Sequence, residues 1–170
     1  MEPGKLLDAD TRPDRSGMSS TYIQRLRGVQ SEYDAIKMSI TFFEQYRGKE
    51  RPQQIGTVTP RDFVRAELNL EATYFIRLYA EFEGILKDHL ATNHRRIKVP
   101  DKPKVDWLLS RVLQAEGFSL EPLLRARLDA VRDYRNSVTH RTRRTVAGVS
   151  FTDSLSALNT FLARLPEPLN

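Results

Sequence analysis

Tyr22, Leu26, Val29, Tyr33, Ile36, Ile40 and Phe43 follow one another at spacings that alternate between four and three residues. Residues spaced this way fall on one side of a helix, whereas a half-buried strand would repeat every second residue. The pattern predicts a long amphipathic helix, for which Ser19 or Ser20 offers an N-cap and which "GKERPQQIGTVTP" breaks. Thr59 followed by Pro60 reads as the cap and first position of a second helix, able to run to about Asn93. Its inner stripe includes Val64, Tyr74, Leu78, Phe82, Ile85 and His89. At 1.5 Å per residue this element would be roughly 50 Å long, the spine of the domain.

After the loop "HRRIKVPDKPK", Val105, Leu108, Leu109, Val112 and Leu113 mark a short helix ending at Gly117. A fourth helix opens around Ser119 and Pro122, with Leu124, Leu128, Val131, Tyr134 and Val138 as its inner face. Thr152 can cap a last helix carrying Leu155, Leu158, Phe161, Leu162 and Leu165 and stopped by Pro166. "TVAGVSF" could form a short extended piece, but no stretch alternates with period two for long enough to demand a strand. The expected fold is all-α, a bundle of about four to five helices with two long ones. Residues 1–18 read as a flexible tail, 19–166 as one helical domain and 167–170 as a short C-terminal tail.

Composition removes several function classes. No Cys occurs, which excludes a disulfide framework and thiolate chemistry and suits a reducing cytoplasm. No apolar run approaches the length of about 18 residues that a membrane span needs, and the N-terminal stretch lacks the apolar core of a secretory signal. His89, His94 and His140 are the only histidines, and their spacing to carboxylates matches no familiar metal pattern, so no metal and no cofactor are expected. His89 reads as a core histidine, and His94, beside Arg95 and Arg96, as a solvated one. Tyr74, Tyr79 and Phe82 read as core rather than as platforms for bases, and Trp107 as the anchor of the third helix.

The formal net charge is +5, and residues 125–144 alone hold seven Arg (125, 127, 132, 135, 141, 143 and 144) against Asp129 and Asp133. Arg pairs bidentately with phosphate and stacks on bases, so a concentrated excess points to nucleic acid; a solvated helix face is the plainer alternative. Within this segment lies "DYRNSVTH". On a helical wheel Arg135 falls on the apolar face between Leu124 and Leu128, beside Val131 and Val138, where a guanidinium needs a carboxylate partner or an open cleft. Arg135 and His140 would diverge by about 140° on an unbroken helix. To act on one phosphate they need the helix to end near Thr139, or a second chain to complete the site.

A fixed Arg with a neutral His suits phosphodiester cleavage without a metal. The His can move the proton of a ribose 2′-OH or of the leaving 5′-oxygen, and the Arg can hold the scissile phosphate. Arg135-Asn136-Ser137-Val138-Thr139-His140 resembles the R-N-x-x-x-H signature of the HEPN superfamily, small all-α bundles that include metal-independent endoribonucleases. "LYAEFEGILKDHL" (residues 78–90) resembles the aromatic, Glu-containing stretch on the second helix of bacterial branches. The resemblance implies that Arg135 and His140 are catalytic, Asn136 a supporting polar residue and Glu83 the acidic residue of the spine. It also implies a homodimer facing its two motifs across one RNA groove, with Arg132, Arg141, Arg143 and Arg144 as RNA-binding candidates. A toxin or phage-defence role would add an antitoxin or regulatory protein as partner. Thr142 stands where members modified by a nucleotidyltransferase antitoxin often carry Tyr. By residue physics alone Glu71, on the middle of the apolar stripe between Leu68, Phe75 and Leu78, is the better buried partner of Arg135; by the resemblance Glu83 is. A non-catalytic helical module binding RNA, a nucleotide or a protein is the alternative from a different class.

Overall fold

The computed structural model describes residues 21–47, 60–140 and 148–166. They form α1 (Thr21–Arg47), α2 (Pro60–Asn93), α3 (Val105–Glu116), α4 (Pro122–His140) and α5 (Phe151–Leu162), with no strand among the described residues. The fold is thus an all-α bundle with two long helices. The tails at 1–18 and 167–170 and the caps proposed at Ser19, Ser20 and Thr59 lie outside the described residues, as do Arg141, Thr142, Arg143 and Arg144. Of the possible extended piece at 145–151, residues 145–147 lie outside the described residues, 148–150 are not a strand, and Phe151 already belongs to α5.

The spine is α2, which touches all four other helices. Its buried face is broader than one stripe: Phe75, Tyr79, Leu86 and Leu90 form a second row beside Tyr74, Leu78, Phe82, Ile85 and His89. Two adjacent rows let one helix hold partners on both flanks, and each fully buried Leu or Phe contributes about 1.5–3 kcal/mol. Aromatic contacts join the layers. Phe82 meets Phe161 of α5 edge-on at 5.7 Å, and Phe75 meets Tyr134 of α4 at 4.6 Å.

Pairs α1–α5 and α4–α5 also pack, whereas α3 packs on α2 alone. In α1, the buried residues among the described side chains are Tyr22, Leu26, Val29 and Tyr33; that of Phe43 lies outside them. Ile36, predicted to face inward, is exposed together with Met38 and Phe42. Phe151, the first residue of α5, stacks on Tyr33 at 4.3 Å, so beyond Tyr33 α2 alone of the described helices flanks α1. Ion pairs reinforce the α1–α2 seam: Arg25 bridges Glu81 (2.5 Å) and Asp88 (2.6 Å), and Arg77 forks onto Glu32.

The third helix ends as predicted at Gly117, which takes φ 69° and returns its N–H to the carbonyl of Leu113. The start of α5 differs from expectation. Its cap is Ser150 rather than Thr152: the Ser150 hydroxyl accepts the N–H of Asp153 at 3.0 Å. That hydroxyl also donates to the Asp153 carboxylate at 2.6 Å, a Ser-x-x-Asp arrangement that fixes the first turn from both ends. No helix among the described residues is long and apolar enough to cross a membrane.

Candidate functional site

Because α3 and α4 both lie on α2 without packing on each other, a polar cleft of about 430 Å³ opens between them. Tyr79 and Glu83 of α2 form its floor, Val105 and Asp106 one wall, and Arg132, Arg135 and Asn136 of α4 the other. Pro103 and Lys104 close the rim where α3 begins. Three of the four expected catalytic residues therefore share one cleft. His140 is the last residue of α4. Five positions after Arg135 on a continuous helix, it stands about 140° around the axis. The helix is unbroken through Thr139, whose hydroxyl donates to the Arg135 carbonyl at 2.8 Å, and the described part of α4 ends one residue later at His140.

Arg135 lies on the inner face, as its register with buried Leu128 and Val131 requires, and its side chain keeps 28% of its exposure. One guanidinium nitrogen is 3.9 Å from Glu83, an ion-pair distance too long for a hydrogen bond. Another donates to Asn136 Oδ1 at 3.1 Å, and the group stands 5.6 Å over the Tyr79 ring. Its Nε is buried and has no hydrogen-bond partner among the described residues. A buried donor without a partner costs about 1–3 kcal/mol, so this cation is under-satisfied where it stands.

Arg132, three residues earlier, is the opposite case. It pairs with Asp106 at 2.7 Å and with Asp129 and Asp133 at 3.1 Å each. Burial works against its charge, but the hydrogen bonds to Asp106 and Asp133 outweigh it and hold its pKa above the ordinary Arg range. The charge excess expected of residues 125–144 is thus partly cancelled in space, because Asp106 reaches over from α3 to Arg132 and Glu83 of α2 stands 3.9 Å from Arg135. Arg132 joins the cleft walls; a phosphate would have to compete for it with three carboxylates.

Glu83, and not Glu71, faces Arg135. Glu71 stands twelve residues earlier on α2, about 18 Å along the axis. Its carboxylate accepts the N–H of Phe151 at 3.2 Å, serving one of the orphan donors that open α5. Tyr79 is buried, and burial first, then the Glu83 charge, pushes its phenol well above the ordinary range. It stays protonated at neutral pH and is no proton acceptor there.

Neither Lys104 nor Asp106 was singled out by the sequence, since both belong to an unrelated stretch of chain that only the α2–α3 contact brings to the cleft. His89 is fully buried as expected, but His94 is not solvated: it bonds Glu116 Oε1 at 2.5 Å, and His89 bonds the same oxygen at 2.7 Å. Comparison of the chain with family models, with curated proteins and with solved structures finds no match.

Proposed function

We propose that the protein is a metal-independent endoribonuclease of HEPN type, acting as a homodimer. The observation that carries this reading is the under-satisfied guanidinium of Arg135, facing a polar cleft beside Asn136 and Glu83 on the helix that ends at His140. Glu83 at 3.9 Å is close enough to hold the cation in place and too far to saturate it. A phosphate oxygen entering the cleft supplies the missing hydrogen bonds and is stabilised most when charge builds on it during displacement.

His140 moves the proton. It takes it from the ribose 2′-OH or returns it to the leaving 5′-oxygen, leaving a 2′,3′-cyclic phosphate and a 5′-OH. Since positions 135 and 140 diverge around α4, the Arg of one subunit and the His of its partner meet on one phosphate across a two-fold axis. Arg141, Arg143 and Arg144 follow directly in the chain and supply charge along the backbone of the RNA. Use as a toxin or in phage defence, under control of an antitoxin or regulatory protein, rests on the HEPN resemblance.

The test is RNA digestion in EDTA with wild type and His140→Ala side by side, folding being checked by circular dichroism in the same buffer. Wild type is expected to cut, leaving 2′,3′-cyclic phosphate and 5′-OH ends, and to spare DNA and 2′-O-methyl RNA. His140→Ala should lose about 10²- to 10⁴-fold in rate with RNA binding retained. Equal cutting by the variant, or a requirement for Mg²⁺, overturns the mechanism. RNA binding without cutting by either protein favours the binding module.

A further inference from the structure

At the far end of the spine from Pro60, residues remote in sequence converge on one point. His89 on α2, His94 just past its end and Glu116 at the end of α3 each offer a donor atom, all within 4.8 Å of one another. We propose that these three residues form a binding site for a divalent transition metal of the zinc class, which clamps α3 to the end of α2. The donor set is two imidazole nitrogens and one carboxylate oxygen, which suits zinc and its neighbours rather than the oxygen-seeking Mg²⁺ or Ca²⁺.

Each ligand is held from behind. The second nitrogen of His89 meets the Tyr22 hydroxyl at 3.1 Å and the Asn93 amide at 3.3 Å, the kind of outer support that orients a metal-bound imidazole. For Nε2 to take the ion the neutral ring carries its proton on Nδ1; the Tyr22 hydroxyl can accept it there, while Asn93, whose amide nitrogen is the nearer atom, does so by turning its amide oxygen to the ring. His94 is fixed by backbone bonds on both sides, its N–H to the Leu90 carbonyl (3.0 Å) and its carbonyl from the Ile97 N–H (2.8 Å). Gly117 ends α3 directly after Glu116 and so sets where that carboxylate stands. Burial keeps His89 uncharged, with its pKa below the ordinary range. Burial alone would raise Glu116, but the bonds to His94 and His89 bring its pKa below the usual carboxylate value.

His89 is fully buried, whereas His94 keeps 24% and Glu116 14% of side-chain exposure, so the group meets solvent on the His94 side. Ligands about 2.1 Å from a tetrahedral centre lie roughly 3.4 Å apart, so the carboxylate need withdraw by less than about 1 Å from each ring. His89 lies six residues past Glu83, about 9 Å along α2, so the ion takes no part in chemistry in the cleft.

The experiment adds Zn²⁺, Co²⁺ or Mg²⁺ to chelator-stripped protein and to His94→Gln and Glu116→Gln, which spare the fully buried His89. At a hundred times its Kd an ion shifts the folding equilibrium about 100-fold, a Tm rise of roughly 5 to 10 °C for a chain of this size. Wild type should show that rise with Zn²⁺, bind one ion per chain by calorimetry and give visible d–d absorption with Co²⁺. Mg²⁺ should leave Tm unchanged, and both variants should lose the Zn²⁺ response while remaining helical. No ion bound by wild type, or an equal Zn²⁺ shift in both variants, overturns the proposal and leaves a purely hydrogen-bonded triad. Because neither variant touches the cleft, His94→Gln should cut RNA as wild type does if the nuclease reading holds, so the two proposals fail separately.

Discussion

Arg132 and Arg135 stand three residues apart on one helix and face one cleft, yet their surroundings assign them different work. Arg132, held by three carboxylates, is a strut between α3 and α4. Arg132→Gln is expected to lower stability by about 1 kcal/mol in urea unfolding, the scale of partly exposed pairs, and to change RNA affinity little. Arg135→Lys should behave in reverse: the charge stays, the planar fork goes, and cleavage falls well beyond any loss of stability. Glu83→Gln releases Arg135 from the carboxylate that faces it and should cost rate more than binding, checked by the split between kcat and KM. In the sequence, wheel position alone put Arg135 inside. Its choice of Glu83 over Glu71 depended on where α4 and α5 cross α2, which no periodicity encodes.

At the scale of elements, two glycines make opposite tests. Gly28 lies inside α1, and a methyl group added there would meet nothing within 4 Å. Gly28→Ala should therefore stabilise by about 0.5–1 kcal/mol, from helix propensity alone. Gly117 takes φ 69° at the end of α3, so Gly117→Ala should destabilise by about 1 kcal/mol; denaturant titration measures both. The spans of α2 and α3 were legible in advance because their ends carry strong local chemistry, Pro60 at one and Gly117 at the other. The start of α5 was misplaced because Ser150 and Thr152 are both good caps, and only the Asp three residues after Ser150 separates them. Ile36 differs for another reason: its spacing is that of an inner residue, but at that height α2 alone of the described helices flanks α1 and leaves it exposed.

The whole molecule is organised by a single helix, and the cleft is a by-product of that plan. Helices gathered around a spine need not all meet one another, and the cleft lies where α3 and α4 do not. If two such clefts serve one phosphate each, light scattering should report a dimer at micromolar concentration. Cross-links introduced near residue 136 should then join the two chains; a monomer, or dimers with these segments far apart, would remove the shared site.

Among the described helices α3 packs on α2 alone, with the partly exposed Arg132–Asp106 pair as a side-chain tie to α4, and this has a consequence for how the molecule breathes. A segment docked on one partner can detach without dissolving the rest, so its amide protons should exchange with solvent through a partial opening of lower free energy than global unfolding. Amides in the middle of α2, covered on both flanks, should exchange only when the whole chain unfolds. Deuterium uptake followed by mass spectrometry is thus expected to separate peptides from 105–116 from those of 74–90, α3 acting as a hinged wall that widens the groove while the spine stays folded.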